Sequence, residues 1–134
     1  MKVRSFLSLW GPVLFLLGLL FYLSSLRELP IESRGLDKIA HFTAYGILAV
    51  LWLRALHGGA WDLRPRLALL AVTLTVAYGA SDELHQRFVL GRDASILDFV
   101  ADTLGAAAGI GIVWVVARAR LRAPGPPLDS GGGV

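Results

Sequence analysis

The chain has 134 residues, of which 55% are hydrophobic and 17% are charged, and its formal net charge is +3. Water-soluble domains carry about a quarter charged residues, and the long apolar runs of this chain instead indicate an integral membrane protein. The absence of cysteine excludes disulfides, thiolate nucleophiles and cysteine-bound metals. Because the basic residues flank apolar runs singly or in small groups, they are typical of topology signals, and we expect no nucleic acid partner.

The first predicted element is a membrane span over residues 6–26, which follows a short basic segment containing Lys2 and Arg4. The span has 21 residues without a charge, and a helix of that length measures about 30 Å, enough to cross the hydrocarbon core. A cleaved signal peptide would have an apolar region of about 7–15 residues ending in a small-x-small site, and residues 22–25 (YLSS) match such a site poorly. We therefore expect a retained first span.

Three further spans are predicted, over residues 38–57, 67–86 and 98–117. The uncharged parts of the third and fourth spans contain only 15 residues each and would cover about 22 Å, which is short of a ~30 Å core. Both helices must therefore complete the crossing with polar residues, and antiparallel packing places these polar ends on the same side. The predicted fold is all-α, an integral membrane four-helix up-down bundle over residues 1–117, followed by a disordered cytoplasmic tail over residues 118–134.

The basic residues also predict the orientation of the bundle. Eight of them fall on one side: Lys2, Arg4, Arg54, Arg64, Arg66, Arg118, Arg120 and Arg122. Five fall on the other: Arg27, Arg34, Lys38, Arg87 and Arg92. The positive-inside rule places the first group in the cytoplasm. We therefore expect a multi-pass protein of the cell membrane, with both termini cytoplasmic and its polar end at the outer leaflet.

The polar end should form a site, because ionisable residues near a bilayer are costly to keep without a function. Residues spaced three or four apart share a helix face, and the sets of this kind are Asp37/His41/Tyr45, Glu83/Gln86, Asp82/Gln86 and Asp98/Asp102. We expect these faces to meet in one shared pocket. Arg92, which follows a turn at Gly91, is expected to fold over that pocket within about 4 Å of Glu83 or Asp98.

Two glycines continue the face of Asp98 along the fourth predicted helix. Gly105 and Gly109 form a small-xxx-small pattern, which lets another backbone approach closely. We therefore expect this helix to pack inside the bundle. Replacing Gly105 with leucine should overpack the interface, whereas alanine should be nearly tolerated.

Two segments carry a family resemblance: DKIAHFTAYGIL at residues 37–48 and ELHQRFVLGRDASILDFVADTLG at residues 83–105. They resemble the VanZ-like family of small membrane proteins, whose pattern falls here on Asp37, Lys38, His41, Glu83, Gln86, Gly91, Arg92, Asp98, Asp102 and Gly105. Two positions depart from it, since Leu90 stands where proline is frequent and Asp102 where asparagine is common. The resemblance implies a bacterial envelope role, because the family's namesake accompanies glycopeptide resistance and is linked to teicoplanin. It implies no settled reaction.

Two functions of different class remain open for the predicted pocket. The first is a non-enzymatic envelope protein that binds a cell-wall precursor, another lipid-linked molecule or a glycopeptide-like ligand and contributes to teicoplanin resistance. Its predicted ligand-binding residues are Asp37, Lys38, His41, Glu83, Gln86, Arg92, Asp98 and Asp102. The alternative is an intramembrane enzyme that acts on a lipid-linked envelope substrate, with His41, Glu83 and Asp98 as the candidate acid–base groups. Membrane lipids are expected partners in both cases. A third alternative is purely structural, a buried polar network that only holds the helices together.

The sequence disfavours a metal site. The nearby residues of metal-binding type are His41, Glu83, His85, Asp98 and Asp102. No metal-ligand spacing such as HExxH is present, and Glu83 and His85 do not share a helix face. A nucleophilic triad within residues 81–85 is weaker still, because neighbours in sequence rarely reach triad geometry. We therefore expect neither a metal nor another cofactor.

Overall fold

The protein contains four long α-helices. The computed structural model describes residues 3–26, 34–59, 64–92 and 94–122. The helices are α1 (Val3–Ser24), α2 (Arg34–Leu56), α3 (Pro65–Gln86) and α4 (Ile96–Arg122). Every regular element in these ranges is helical, so the predicted all-α four-helix fold is confirmed.

All four helices are long and apolar enough to cross a membrane, with candidate spans Phe6–Ser24, Gly35–Leu56, Pro65–Gln86 and Ile96–Arg122. Large apolar side chains such as Phe15 and Ile112 lie on the outside of the bundle, and the buried apolar cluster is small. A water-soluble bundle would bury such side chains, whereas lipid solvates them. The chain is therefore a multi-pass membrane protein.

The fourth helix is longer than the sequence predicted. Residues 118–122 were expected in the disordered tail but form the last turns of α4. Their composition (RARLR) is rich in strong helix formers, and basic side chains are favourable near a helix C-terminus. The Arg118 guanidinium also lies over the Trp114 ring, with its Cζ 3.6 Å from the ring centroid. The remainder of the predicted tail, residues 123–134, lies outside the described residues.

The second and third helices each contact all the other helices, and α2 is the centre of the bundle because its interface with α4 is the most extensive. Within the described residues, α1 contacts only α2 and α3. The up-down order of the helices places the start of α2, the end of α3 and the start of α4 at one end of the bundle. This is the polar end that the short apolar runs predicted.

Glycines allow α2 and α4 to touch backbone to backbone. A Cβ on Gly105 would overlap the carbonyl group of Phe42, and one on Gly109 would lie 2.5 Å from the Gly46 oxygen. The predicted close approach through the small-xxx-small face is therefore confirmed. The expected tolerance of alanine at Gly105 is wrong, because the group in the way is backbone and cannot rotate aside.

Candidate functional site

The polar end of the bundle joins α2 to α4 through two charged contacts. The Lys38 ammonium on α2 lies 2.5 Å from Asp98 Oδ1 on α4. One turn further along both helices, His41 Nδ1 lies 2.9 Å from Asp102 Oδ1. These two contacts, one turn apart, fix the axial position of α2 relative to α4 at the polar end of both helices.

His41 is placed between two carboxylates. Its Nδ1 faces Asp102, and its Nε2 lies 3.8 Å from Asp37 Oδ1, one turn earlier on the same helix. Its ring also stacks on Tyr45, with the two planes 6° apart and the centroids 6.0 Å apart. The imidazole is therefore oriented from three sides, so its two nitrogens have distinct surroundings.

The third helix contributes two adjacent buried carboxylates, Asp82 and Glu83. Tyr45 Oη donates a hydrogen bond to Asp82 Oδ2 at 3.2 Å, and Gln86 Nε2 donates to the same oxygen at 3.1 Å. Glu83 Oε2 accepts the backbone N–H of Ser95 at 2.8 Å, just before α4 begins. Among the described residues, both carboxylates therefore receive hydrogen bonds from neutral donors only, and Glu83 links the end of α3 to the start of α4.

A cavity of about 210 Å³ opens beside these contacts, between α1, α2, α3 and the turn after α3. Its apolar wall includes Leu20 and Leu23 of α1 and Ala40 and Ala44 of α2. The polar residues that border it are Ser24, Asp37, His41, Tyr45, Asp82, Gln86 and Arg92. They border the cavity mainly with their carbon atoms, so its lining is almost entirely apolar.

Arg92 lines this cavity but does not make the predicted ion pair. No ion pair joins it to a carboxylate in the described part of the chain, and its Nε is buried without a hydrogen-bond partner. The expected contact with Glu83 or Asp98 is wrong because other donors hold both groups. Lys38 pairs with Asp98, and the Ser95 amide binds Glu83.

The eight predicted ligand-binding residues fall into two neighbouring groups instead of one pocket. Asp37, His41, Gln86 and Arg92 line the cavity. Lys38, Glu83, Asp98 and Asp102 do not line it and lie with His41 between α2, α3 and α4. We call this second set, together with His41, the interhelical cluster. His41 is the residue common to both groups.

Three polar cavity residues were absent from the predicted set: Ser24, Tyr45 and Asp82. Tyr45 and Asp82 had a signal in the sequence, since each lies four residues from a chosen residue on the same helix. Ser24 is buried at the end of α1 with its Oγ unpartnered, and it had no such neighbour. His85 is in neither group, and its Nε2 lies 3.1 Å from Oγ of Ser25, the residue after α1.

Comparison with known families identifies the bundle. A profile of the VanZ/LLP1 family matches residues 5–117, which is well over half of the chain and includes every residue of the cavity and the cluster. The chain belongs to the VanZ/LLP1 family. No curated protein and no solved structure matches it. Of the residues that carried the VanZ-like resemblance, Lys38, His41, Asp98 and Asp102 join α2 to α4 at the polar end of this family member.

Proposed function

We propose that this VanZ/LLP1 family member is a non-enzymatic protein of the bacterial cell envelope whose cavity binds the head group of an anionic amphiphile. Arg92 carries the proposal, because its Nε is buried at the polar end with no protein partner and the residue lines the cavity. A buried, unsatisfied donor of a charged group is costly unless a ligand completes it. A phosphate or carboxylate suits a guanidinium best, since it accepts charge-assisted and bidentate hydrogen bonds.

The apolar wall indicates the rest of the ligand. Leu20 and Leu23 face the same space as the polar groups, so an acyl or isoprenyl segment can pack there while the head group meets Arg92. We therefore favour lipid-linked cell-wall precursors over soluble anions as ligands.

The volume of the cavity argues against a whole glycopeptide as its occupant. Pockets that enclose drug-sized ligands measure about 300–1,000 Å³. The cavity here, at about 210 Å³, suits a head group. A contribution to teicoplanin resistance would then follow from engaging the precursor that the drug recognises, with the polar end at the outer leaflet of the cell membrane.

Equilibrium binding to protein in zwitterionic nanodiscs tests this function. The probes are an undecaprenyl-diphosphate-linked cell-wall precursor and, in a separate arm, phosphatidylglycerol, so that a precursor and an ordinary anionic lipid are distinguished. Arg92→Ala should weaken binding about tenfold or more, as expected for a hydrogen bond to a charged group. The matched control is Arg87→Ala, which removes an exposed arginine from the same turn and should change binding less than about twofold.

Two results would contradict the proposal. One is the absence of saturable binding of either probe by the unmodified protein. The other is an equal loss of affinity in the Arg87 and Arg92 variants, which would reduce the effect to general surface charge. If phosphatidylglycerol binds in preference to the precursor, the cavity is still a binding site, but its ligand is a membrane lipid and not a cell-wall precursor.

The position of His41 supports intramembrane catalysis as a second candidate function. His41 lines the cavity while Asp102 holds its Nδ1 at 2.9 Å, which is the arrangement of an oriented general base. The other two candidates, Glu83 and Asp98, do not line the cavity. Catalysis therefore predicts turnover of the precursor, detected by mass spectrometry, that His41→Gln abolishes while binding persists. If the precursor is unchanged after prolonged incubation, catalysis is contradicted and binding remains as the proposed function.

A further inference from the structure

The interhelical cluster brings three groups of metal-binding type within reach of one ion. Ligand atoms of His41, Glu83 and Asp102 all lie within 4.8 Å of one another. A tetrahedral Zn²⁺ site with bonds of about 2.0–2.2 Å holds its ligand atoms roughly 3.4 Å apart. Side-chain rotations that shorten each separation by at most about 1.4 Å would therefore bring the three groups around one ion.

The burial and the hydrogen bonds of the two carboxylates suit coordination of a cation. Glu83 is 9% exposed and Asp102 is 0% exposed. Within the described part of the chain, each keeps one buried oxygen without a hydrogen-bond partner, Oε1 of Glu83 and Oδ2 of Asp102. Neither pairs with a described lysine or arginine, because Lys38 is committed to Asp98. Buried carboxylates left in this state are costly, and a coordinated cation removes the cost.

The orientation of His41 fits a metal ligand. Its Nδ1 faces Asp102, while its Nε2 is directed to the half-buried Asp37 at 3.8 Å. Histidines that bind metals commonly use one ring nitrogen for the ion and give the other N–H to a carboxylate, which orients the ring. Asp37 would serve as that second partner.

A competing trio overlaps this one. Asp37, His41 and Asp98 also place ligand atoms within 4.8 Å of one another. Its Asp98 is already neutralised by Lys38, and its Asp37 is partly exposed to the surroundings. The trio with two buried and incompletely satisfied carboxylates is therefore the stronger site.

We propose that His41, Glu83 and Asp102 form a binding site for a divalent metal ion. One imidazole nitrogen and two carboxylate oxygens suit Zn²⁺ or Mn²⁺. Three protein ligands from three different helices leave a coordination position for water or a ligand atom. Ligand spacing along single helices disfavoured a metal, whereas these three ligands come from α2, α3 and α4. The site goes beyond the proposed lipid binding and stands without it.

Metal titration of the purified full-length protein tests the site. The protein is stripped with a chelator in detergent, titrated with Zn²⁺ or Mn²⁺ alone, and measured for bound metal by mass spectrometry and for its thermal midpoint. We expect saturation at a single ion per chain and a raised midpoint. Glu83→Gln and Asp102→Asn should each lower metal affinity by more than about tenfold. The matched control, Asp82→Asn, removes a buried carboxylate one residue from Glu83 and should leave metal binding within about threefold.

Several outcomes would overturn the proposal. The proposal fails if the unmodified protein binds neither ion saturably. This outcome needs no variant, so it can be observed even if a substitution prevents folding. Equal effects of Asp82→Asn and Glu83→Gln would indicate general charge loss. Loss of metal in Asp98→Asn with retention in Glu83→Gln would place the ion on the competing trio. Because no lipid is added, these results are independent of the binding proposal, and a bound ion would exclude His41 as a general base.

Discussion

At the scale of single residues, the polar end is held together by a few contacts whose partners cannot be exchanged freely. Lys38 is 36% exposed, whereas its partner Asp98 is 7% exposed. Removing the lysine therefore leaves a buried carboxylate unpaired, while removing both charges leaves a neutral pair. Breaking one partner of such a pair is more damaging than replacing both.

This asymmetry gives a stability prediction. Lys38→Met should destabilise the bundle by about 1–3 kcal/mol, because Asp98 loses its charged donor. Adding Asp98→Asn to that variant should restore part of the loss, since an amide is easier to bury than a carboxylate. Thermal unfolding in detergent measures both variants. If the double variant is less stable than Lys38→Met alone, the ion pair is not what offsets the cost of burying the Asp98 carboxylate.

At the scale of helices, the contact of α2 with α4 leaves no room for side-chain atoms. Gly46, Gly105 and Gly109 each lie against the backbone of the facing helix. A tight interface of this kind lets the Lys38 and His41 side chains reach α4 with short distances. Packing by small residues and the charged contacts therefore depend on each other.

Alanine substitution distinguishes glycines that contact a neighbouring backbone from glycines with free space beside them on the same helix. Gly105→Ala should destabilise the protein by about 1–3 kcal/mol, because the added methyl group meets the Phe42 carbonyl. Gly111→Ala is the matched control, since an added Cβ there meets nothing within 4 Å. Thermal midpoints in detergent should fall for the first variant and stay level for the second. Equal midpoints would mean that α2 and α4 can separate without loss.

At the scale of the whole molecule, the predicted orientation awaits a direct test. The chain has no cysteine, so single-cysteine variants report one position each. Cysteine at Ala94, in the turn at the polar end, should react with a membrane-impermeant thiol reagent in intact cells. Cysteine at Ser130, outside the described residues, should react only after lysis, because the positive-inside rule places it in the cytoplasm. The reverse labelling pattern would show that the bundle has the opposite orientation in the membrane.

The sequence was informative about features that depend on one helix at a time. Lengths of apolar runs predicted the number of spans and the shared polar end, and the spacing of Gly105 and Gly109 predicted the close approach of a neighbour. Partners across helices were not predictable, because they depend on how each helix is rotated about its axis. For this reason Lys38 and not Arg92 was found on Asp98.

The loose attachment of α1 affects how a ligand would reach the cavity. Only 11% of its membrane-spanning window is buried, compared with 28–33% for the other helices, yet α1 supplies Leu20, Leu23 and Ser24 to the cavity wall. Displacing α1 is therefore the movement that opens the cavity with the smallest loss of packing. Such an opening faces sideways into the bilayer instead of towards water. The rate of ligand exchange would then follow the two-dimensional concentration of the amphiphile in the membrane and its lateral diffusion, and water-soluble analogues without a lipid tail would enter slowly.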